Sequence, residues 1–253
     1  MPHNLEKEIE QIVADKVADL NRPDLLRAPL VAFSSAHDSR YPELKRIIGQ
    51  WHLNPAEMLL DAESVISYFV PFTKPVVAEP QKVKDGSPLW GEAYAVINPY
   101  FTAINEAVSD YLINSGYSAT AIPATHTYDP ETIECKWSHR SAANIAGLGS
   151  FAANRMLITA KGLGGRFCTV ITSAKLKAND KPARDQCLNV KNGSCGQCFE
   201  ICPVGALRPG QFEKFVCQSV TDRNKELNKG IPILCEADTC GKCISVCPLA
   251  YIK

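Results

Sequence analysis

The sequence predicts an α+β fold in which a larger α/β part precedes a small cysteine-rich module. Helix-like and strand-like segments alternate over about the first 180 of the 253 residues. The remainder carries the motif C-x2-C-x3-C-P twice, as CGQCFEICP from Cys195 and as CGKCISVCP from Cys240. A polar, linker-like stretch, residues 177–186, separates the two parts. We therefore divide the chain into domains 1–182 and 183–253.

The first domain begins with an amphipathic helix and continues with a buried strand. Residues 5–20 bring their apolar side chains to one helical face. SVISYFV, residues 64–70, is rich in β-branched and aromatic residues and ends before Pro71, which predicts a strand. PYFTAINEAVSDYLINSG, residues 99–116, predicts a helix with Asn98 as its cap, Pro99 as its first residue and Gly116 as its stop.

Short elements complete this domain. YSATAIPA, residues 117–124, predicts a short strand. SHRSAANIA, residues 138–146, predicts a short helix that is capped by Ser138 and ended by Gly147. RMLITA and RFCTVIT predict two strands joined by the intervening KGLGG, which is typical of a hairpin turn.

Composition excludes several classes of protein. The 27 basic residues balance 27 acidic ones, so bulk charge does not indicate a nucleic-acid partner. No apolar run approaches the ~18 residues of a membrane span, and MPHNLEKEIEQ contains neither an apolar signal region nor twin arginines. We therefore expect a cytoplasmic protein with no membrane partner. Eleven cysteines in that compartment indicate metal or redox chemistry rather than disulfides.

The repeated cysteine motif is typical of cuboidal iron–sulfur clusters, in which the last cysteine of one motif ligates the other cluster. Zinc is the main alternative, but it uses two C-x2-C pairs and has no need of a third cysteine followed by proline. The spacing therefore predicts two [4Fe–4S] clusters. The first takes Cys187, Cys195, Cys198 and Cys247, and the second takes Cys202, Cys240, Cys243 and either Cys217 or Cys235.

Four segments resemble the epoxyqueuosine reductase and reductive dehalogenase group. The strongest are WSHRSAANIAGLGSFAANRMLITAKGLGGRFCTVIT and CLNVKNGSCGQCFEICPVGAL. APLVAFSSAHDSRY and AESVISYFVPF resemble the N-terminal part of the short epoxyqueuosine-reductase-like proteins of anaerobes. The resemblance implies that residues 1–182 form a nitroreductase-like α/β layer that binds a cobamide. It also implies that residues 183–253 form a ferredoxin-like module with two [4Fe–4S] clusters.

The implied chemistry is a reduction. Electrons from a donor such as ferredoxin or flavodoxin would pass through the clusters to a cobamide (cobalamin), and a small or nucleoside-like substrate would be reduced. The alternative is an electron-transfer protein that reduces the corrinoid of a partner and has no substrate of its own. The family has a lone cysteine between its two motifs, and Cys217 matches it in position. Cys135, Cys168 and Cys235 then remain, and we expect buried thiols there.

The resemblance also directs attention to SHRSAANIAGLGS and RFCTVIT as the surroundings of the cobamide. The residues expected to contact it are Ser138, His139, Arg140, Gly147, Gly149 and Thr169. Small residues around AGLG, and the glycines of 162–165, would admit a large flat ligand, and tight helix–strand packing is the alternative explanation for them. Epoxyqueuosine reductases, which these segments resemble, carry a proton-donating aspartate shortly before AGLG. Asp129 is the only aspartate of that region here, and Glu131 and Glu134 are its rivals.

Overall fold

The computed structural model describes residues 4–123, 128–179, 183–234 and 237–253. Within these ranges the strands are β1 Leu30–Ser35, β2 Ser64–Pro71, β3 Ala119–Ala121, β4 Tyr128–Asp129, β5 Glu134–Cys135, β6 Gly149–Phe151, β7 Leu157–Thr159, β8 Gly165–Thr172, β9 Leu207–Arg208 and β10 Gln211–Phe212. The α-helices are α1 Leu5–Asp19, α2 Arg40–Ile47, α3 Pro55–Met58, α4 Lys74–Ala78, α5 Pro88–Asn114, α6 His139–Ile145, α7 Leu188–Asn192, α8 Gln197–Glu200, α9 Lys214–Asn228 and α10 Lys242–Ser245. A 3-10 helix covers Pro232–Leu234.

A four-stranded antiparallel sheet in the order β1-β2-β8-β3 forms the centre of the fold. Every residue of β2 is buried, because helices cover both faces of the sheet. Ile66, Tyr68 and Val70 pack in the cluster that contains the apolar faces of α1 and α5. Val65 and Phe69 point the other way, toward α2 and α6. The result is a mixed α/β fold in three layers, which agrees with the α+β class predicted from the sequence.

Three predicted elements are confirmed. Helix α1 buries Ile9, Val13 and Val17, and its cap Asn4 accepts a hydrogen bond from the backbone N–H of Lys7. Strand β2 occupies the predicted SVISYFV segment. Helix α6 begins after the predicted cap Ser138, whose hydroxyl accepts a hydrogen bond from the Ser141 N–H.

The start of the long helix α5 was predicted wrongly. It begins at Pro88 rather than Pro99, and Pro99 lies inside it. An interior proline removes one helical hydrogen bond, but the added turns bury Trp90, Tyr94 and Ile97 in the core and so hold the helix together. Asn98 is not a cap, since its side-chain carbonyl accepts a hydrogen bond from Arg166 Nε at 2.9 Å.

The KGLGG segment was also predicted wrongly, because it does not join a hairpin. Strand β7 pairs with β6 and not with β8. The backbone N–H groups of Leu163 and Gly164 donate to the Ala250 carbonyl. A Cβ added at Gly162 would lie 2.5 Å from that same oxygen. These glycines therefore allow the C-terminal segment to approach, and Gly165 is the one of them that borders the cavity described below.

The cysteine-rich region packs firmly on the first part of the chain. Asn154 Nδ2 donates to the Cys243 carbonyl at 2.7 Å, and Lys242 Nζ donates to the Pro80 carbonyl at 2.8 Å. Helices α8 and α10, one from each cysteine motif, contact each other. The predicted domain boundary falls at residues 180–182, which lie outside the described residues. Nowhere in the described ranges is a helix both long and apolar enough to cross a membrane.

The packing role of Gly149 yields a stability prediction. A Cβ at this position would lie 2.5 Å from the Ile158 carbonyl oxygen. We expect Gly149→Ala to lower the free energy of unfolding by about 1–3 kcal/mol, as overpacking does, in urea denaturation followed by far-UV circular dichroism. Gly230→Ala is the matched control, because nothing lies within 4 Å of its added Cβ. Equal stability of the two variants would contradict this packing role.

Candidate functional site

A cavity of about 1120 Å³ opens between helices α2 and α6, the β4–β5 hairpin and the beginning of β8. Its walls include the aromatic rings of Trp51, Trp137, Phe151 and Phe167. This volume is slightly above the ~300–1,000 Å³ that is usual for small-molecule sites. The cavity can therefore hold a ligand larger than a typical metabolite.

A second cavity, of about 400 Å³, lies in the cysteine-rich region, and four cysteines line it. Cys202 ends the first motif, Cys217 lies on the first turn of α9, and Cys240 and Cys243 belong to the second motif. These are the cysteines that the sequence analysis assigned to one cluster, including the choice of Cys217. Its rival Cys235 lies outside the described residues.

The four remaining predicted ligands form a second group. Burial raises the pKa of the Cys198 thiol to about 11, and the neighbouring Cys187, Cys195 and Cys247 raise it further. Burial and the proximity of Cys187 and Cys195 likewise raise the pKa of Cys247. Because α8 packs against α10, the last cysteine of each motif reaches the C-x2-C pair of the other.

The thiols of Cys202, Cys217, Cys240 and Cys243 also lie close to one another. Burial, followed by neighbouring cysteines, raises the pKa of Cys217 to about 11 and that of Cys243 to about 12. Cys217 and Cys243 are therefore neutral at pH 7, and iron that bound to them would displace their protons. Among the described residues, no three His, Cys, Asp or Glu side chains surround a point suited to a single metal ion. In a four-iron cluster each thiolate binds a different iron, which needs wider spacing.

The two cavities share a wall. Six residues line both of them: Tyr94, Arg140, Met156, Gly165, Arg166 and Asp238. The cavity of Cys202, Cys217, Cys240 and Cys243 is therefore separated from the large cavity by single side chains. This arrangement can pass electrons between a cluster in one cavity and a redox-active ligand in the other.

A chain of hydrogen bonds orients the beginning of α6. The indole N–H of Trp137 donates to Thr169 Oγ1 at 2.9 Å. His139 Nε2 lies 3.2 Å from the Pro123 carbonyl and must donate to it, so Nδ1 accepts from the Thr169 hydroxyl at 2.9 Å. Burial lowers the pKa of His139 to about 4, and the ring is neutral at pH 7.

The predicted ligand contacts divide into two sets. Ser138, His139 and Arg140 line the large cavity. Thr169 lies behind it, where it supports His139. Gly147 has a positive φ of 78° and follows the end of α6, while Gly149 packs against the backbone of β7. These last three residues do not contribute to the cavity wall.

Three carboxylates were candidates for the proton donor, Asp129, Glu131 and Glu134, and of these only Glu134 lines the cavity. Asp129 Oδ1 accepts hydrogen bonds from the backbone N–H groups of Glu131 and Thr132, which lower its pKa, and the side chain ties a turn together. Glu134 pairs with Asp129 in the β4–β5 hairpin and lines the large cavity.

Sequence reasoning missed two functional candidates. Asp238 lines both cavities and accepts a hydrogen bond from the Tyr94 hydroxyl at 2.6 Å. No local pattern links these residues, which are 144 positions apart. Cys135 lines the large cavity, and its thiol donates to the Trp137 carbonyl at 3.1 Å. It is only half-buried, whereas Cys168 is fully buried as expected.

Comparison with known proteins supports the resemblance inferred from the sequence. No protein-family model matches the chain. Over 90 residues it is 36% identical to an epoxyqueuosine reductase of Bacillus subtilis (strain 168), and this stretch covers 35% of the chain and 22% of that protein.

The fold is shared more widely. The structure of epoxyqueuosine reductase from Streptococcus thermophilus superposes with a TM-score of 0.59 at 18% identity, covering 98% of this chain and 66% of that one. A catabolic reductive dehalogenase in complex with 3-bromo-4-hydroxybenzoic acid gives 0.57 at 15% identity, covering 88% of this chain and 30% of that one. The chain thus spans about two thirds of the length of the reductase structure. The predicted resemblance to both groups is confirmed.

The neutral His139 makes stability depend on pH. Its pKa is about 4 in the folded chain and ~6.5 in an unfolded one. Its contribution to stability is therefore complete above pH ~6.5 and is lost as the pH falls toward 4. Between pH 7.5 and 5 we expect a loss of about 2 kcal/mol.

His139→Gln isolates this effect, because glutamine does not titrate. The difference in unfolding free energy between wild type and variant, measured by urea denaturation at both pH values, should shrink at pH 5. If the difference in unfolding free energy between wild type and His139→Gln is the same at both pH values, the folded chain does not lower the pKa of His139.

Proposed function

We propose that this chain is an iron–sulfur reductase, in which two [4Fe–4S] clusters deliver electrons to a cobamide in the large cavity and a small or nucleoside-like substrate is reduced there. The wall shared by the two cavities carries this proposal. Because only single side chains separate the cavity of Cys202, Cys217, Cys240 and Cys243 from the large one, electron transfer would need no further carrier. Homology to epoxyqueuosine reductases and reductive dehalogenases supports a reductive enzyme.

In this proposal, residues 183–253 form a ferredoxin-like module on a nitroreductase-like layer of residues 1–182. Two groups of four thiols suit the ligand requirement of two cubane clusters. Cys187, Cys195, Cys198 and Cys247 would hold the cluster farther from the large cavity. An external donor, such as ferredoxin or flavodoxin, would deliver electrons to this first cluster.

The large cavity suits a cobamide in size and chemistry. Aromatic side chains offer flat apolar surfaces, and Ser138 and Arg140 offer donors for amide groups. A bound cobamide would supply a strongly reducing cobalt centre. The protein would hold it, keep Trp137 and His139 in place through Thr169, and exclude bulk water.

Glu134 is the proposed proton donor. It lines the cavity, whereas the Asp129 carboxylate is occupied by the turn that it caps. A reduction that adds electrons to a substrate also needs a proton, and a carboxyl group beside the substrate can provide it. One related epoxyqueuosine reductase was solved with an epoxyqueuosine-modified tRNA stem loop. We therefore propose a nucleoside-like substrate class for this chain.

Anaerobic iron analysis and cobalamin titration test the proposal together. We expect about eight iron atoms per chain, as two cubane clusters require, and saturable cobalamin binding followed by its absorption spectrum. Two zinc ions in place of iron would exclude the clusters. Eight iron atoms without cobalamin binding at tens of micromolar would favour the electron-transfer protein that reduces a partner's corrinoid.

The assignment of the eighth ligand can be tested directly. Cys217→Ser should reduce the iron content from about eight to about four atoms per chain, because a hydroxyl replaces a thiolate poorly. Cys235→Ser is the matched control and should leave both clusters intact, as measured by iron analysis and electron paramagnetic resonance. The reverse result would assign Cys235 to the cluster.

Glu134→Gln tests the proton donor. We expect turnover of an epoxyqueuosine-containing stem loop to fall by about 10²–10⁴-fold, the usual contribution of general acid catalysis, while cobalamin binding and iron content stay unchanged. Asp129→Asn should retain most activity, since an amide oxygen can still cap the turn. Activity that depends on Asp129 rather than Glu134 would contradict the assignment.

A further inference from the structure

Positive charge on the wall of the large cavity is only partly balanced. Arg40 pairs with Asp38 at 2.7 Å, and Arg46 pairs with Glu43 at 2.9 Å. In contrast, Arg140, Arg155 and Arg166 line the same cavity without a carboxylate partner among the described residues. The cavity wall thus contains three guanidinium groups that form no ion pair with an acidic side chain of the described residues.

These three arginines use few of their donors. Arg140 Nη1 donates to the Arg155 carbonyl at 3.0 Å and approaches Met156 Sδ. Arg166 donates through Nε to Asn98, and its guanidinium lies 4.7 Å from the ring centre of Tyr94. Arg155 lies 5.6 Å from the Phe212 ring centre. Each guanidinium has five N–H groups, so most remain available to a ligand.

The three groups also repel one another. Desolvation by the surrounding wall lowers the pKa of the Arg140 guanidinium, and the charges of Arg166 and Arg155 lower it further, although the residue as a whole is solvent-exposed. Lys214 adds another positive charge to this wall. Two carboxylates, Glu134 and Asp238, line the cavity without an ion pair to any residue that the structure describes. Asp238 already accepts from Tyr94. Like charges close together in a partly desolvated wall cost free energy unless an anion joins them.

We propose that Arg140, Arg155 and Arg166 form a subsite for a phosphate group within the large cavity. A phosphate presents several oxygens to several guanidinium forks, which arginine binds in a bidentate manner. The proposal deepens the proposed function, on which it rests for the source of the phosphate. That source is either the phosphodiester of the nucleotide loop of a cobamide or the phosphate of a nucleotide substrate.

A different role must be separated from this one. Arg140 and Arg166 also line the cysteine cavity and could simply balance the charge of a loaded cluster. Arg155 lines the large cavity alone. It contacts Arg140 through its backbone carbonyl, so a side-chain substitution preserves that contact. Substitution of Arg155 should therefore change the binding of a phosphate group without changing the charge around the cluster.

The test uses cluster-loaded protein and two matched pairs of probes. Cobalamin is compared with cobinamide, which lacks the phosphodiester, and guanosine 5′-monophosphate is compared with guanosine. In at least one of these pairs, the compound with a phosphate should bind about tenfold more tightly than the compound without it, because a hydrogen bond to a charged group contributes about that much. The pair that shows the advantage identifies the source. Arg155→Gln should abolish most of this tenfold advantage. Arg46→Gln is the matched control and should preserve it, because Glu43 already balances the charge of Arg46.

Inorganic phosphate separates failure of this inference from failure of the proposed function. If no corrinoid binds, but phosphate raises the melting temperature of wild type and not of Arg155→Gln, the subsite stands and the cobamide proposal fails. If cobalamin and cobinamide bind equally, guanosine and its monophosphate bind equally, and phosphate has no effect, the subsite is excluded. A third outcome also excludes the subsite. In it, Arg140→Gln lowers the reduction potential of the cluster in redox titration, and Arg155→Gln leaves the binding of every phosphate-bearing probe unchanged. The arginines would then only balance the charge of the cluster.

Circular dichroism and iron content confirm that the variants are folded. Arg155→Lys, which keeps the charge and loses the fork, should recover part of the phosphate advantage.

Discussion

The register between β2 and β8 is the constraint on which the remaining structure depends. The two strands pair along eight positions, from Ser64 opposite Thr172 to Pro71 opposite Gly165. Because side chains alternate between faces, this register sends Arg166 toward α5 and Thr169 toward α6. A slip of one residue would exchange the two faces. The guanidinium on the shared wall and the hydroxyl behind His139 would then both be misplaced.

The cysteine-rich region depends on a second constraint, the contact between α8 and α10. Each motif is too short to surround a cluster by itself, so each group of four thiols draws on distant parts of the chain. Cys187 and Cys247 belong to one group although sixty residues separate them. Ligands that are brought together only in the folded chain couple metal binding to folding. Loading of the clusters would therefore stabilise the packing of this region on α4 and α5.

Local sequence signals predicted the elements whose start or apolar pattern can be recognised within one short stretch of sequence. The cap Ser138, the apolar face of α1 and the β-branched residues of β2 each form such a pattern, and each element was found where its pattern indicated. Helix α5 was misjudged because Asn98-Pro99 resembles a helix start. Its true start, Ser87-Pro88, carries the same kind of local signal, and tertiary burial of Trp90 and Tyr94 decides between the two.

The candidate site also has features that the sequence predicted and features that it did not. Cysteine spacing indicated which motif cysteines belong together, because the crossing of ligands is a property of the motif itself. It left Cys217 and Cys235 open as the eighth ligand, and only the family resemblance favoured Cys217. Contacts that form only on folding were not predictable, such as Tyr94 with Asp238 or the glycines of KGLGG with Ala250. The small residues around AGLG fitted either a ligand or tight packing, and a Cβ at Gly149 would meet backbone. Sequence alone contains no information that decides between these alternatives.

The shared wall has an energetic consequence for the proposed phosphate subsite. Arg140 and Arg166 face the cavity of Cys202, Cys217, Cys240 and Cys243 as well as the large cavity. An anion in one cavity and an electron added to a cluster in the other would draw on the same positive charges and repel each other. A bound phosphate would therefore lower the reduction potential of that cluster. By reciprocity, reduction of the cluster would weaken phosphate binding by the same free energy. Binding at the subsite would thus be tightest before the electron arrives and weaker afterwards.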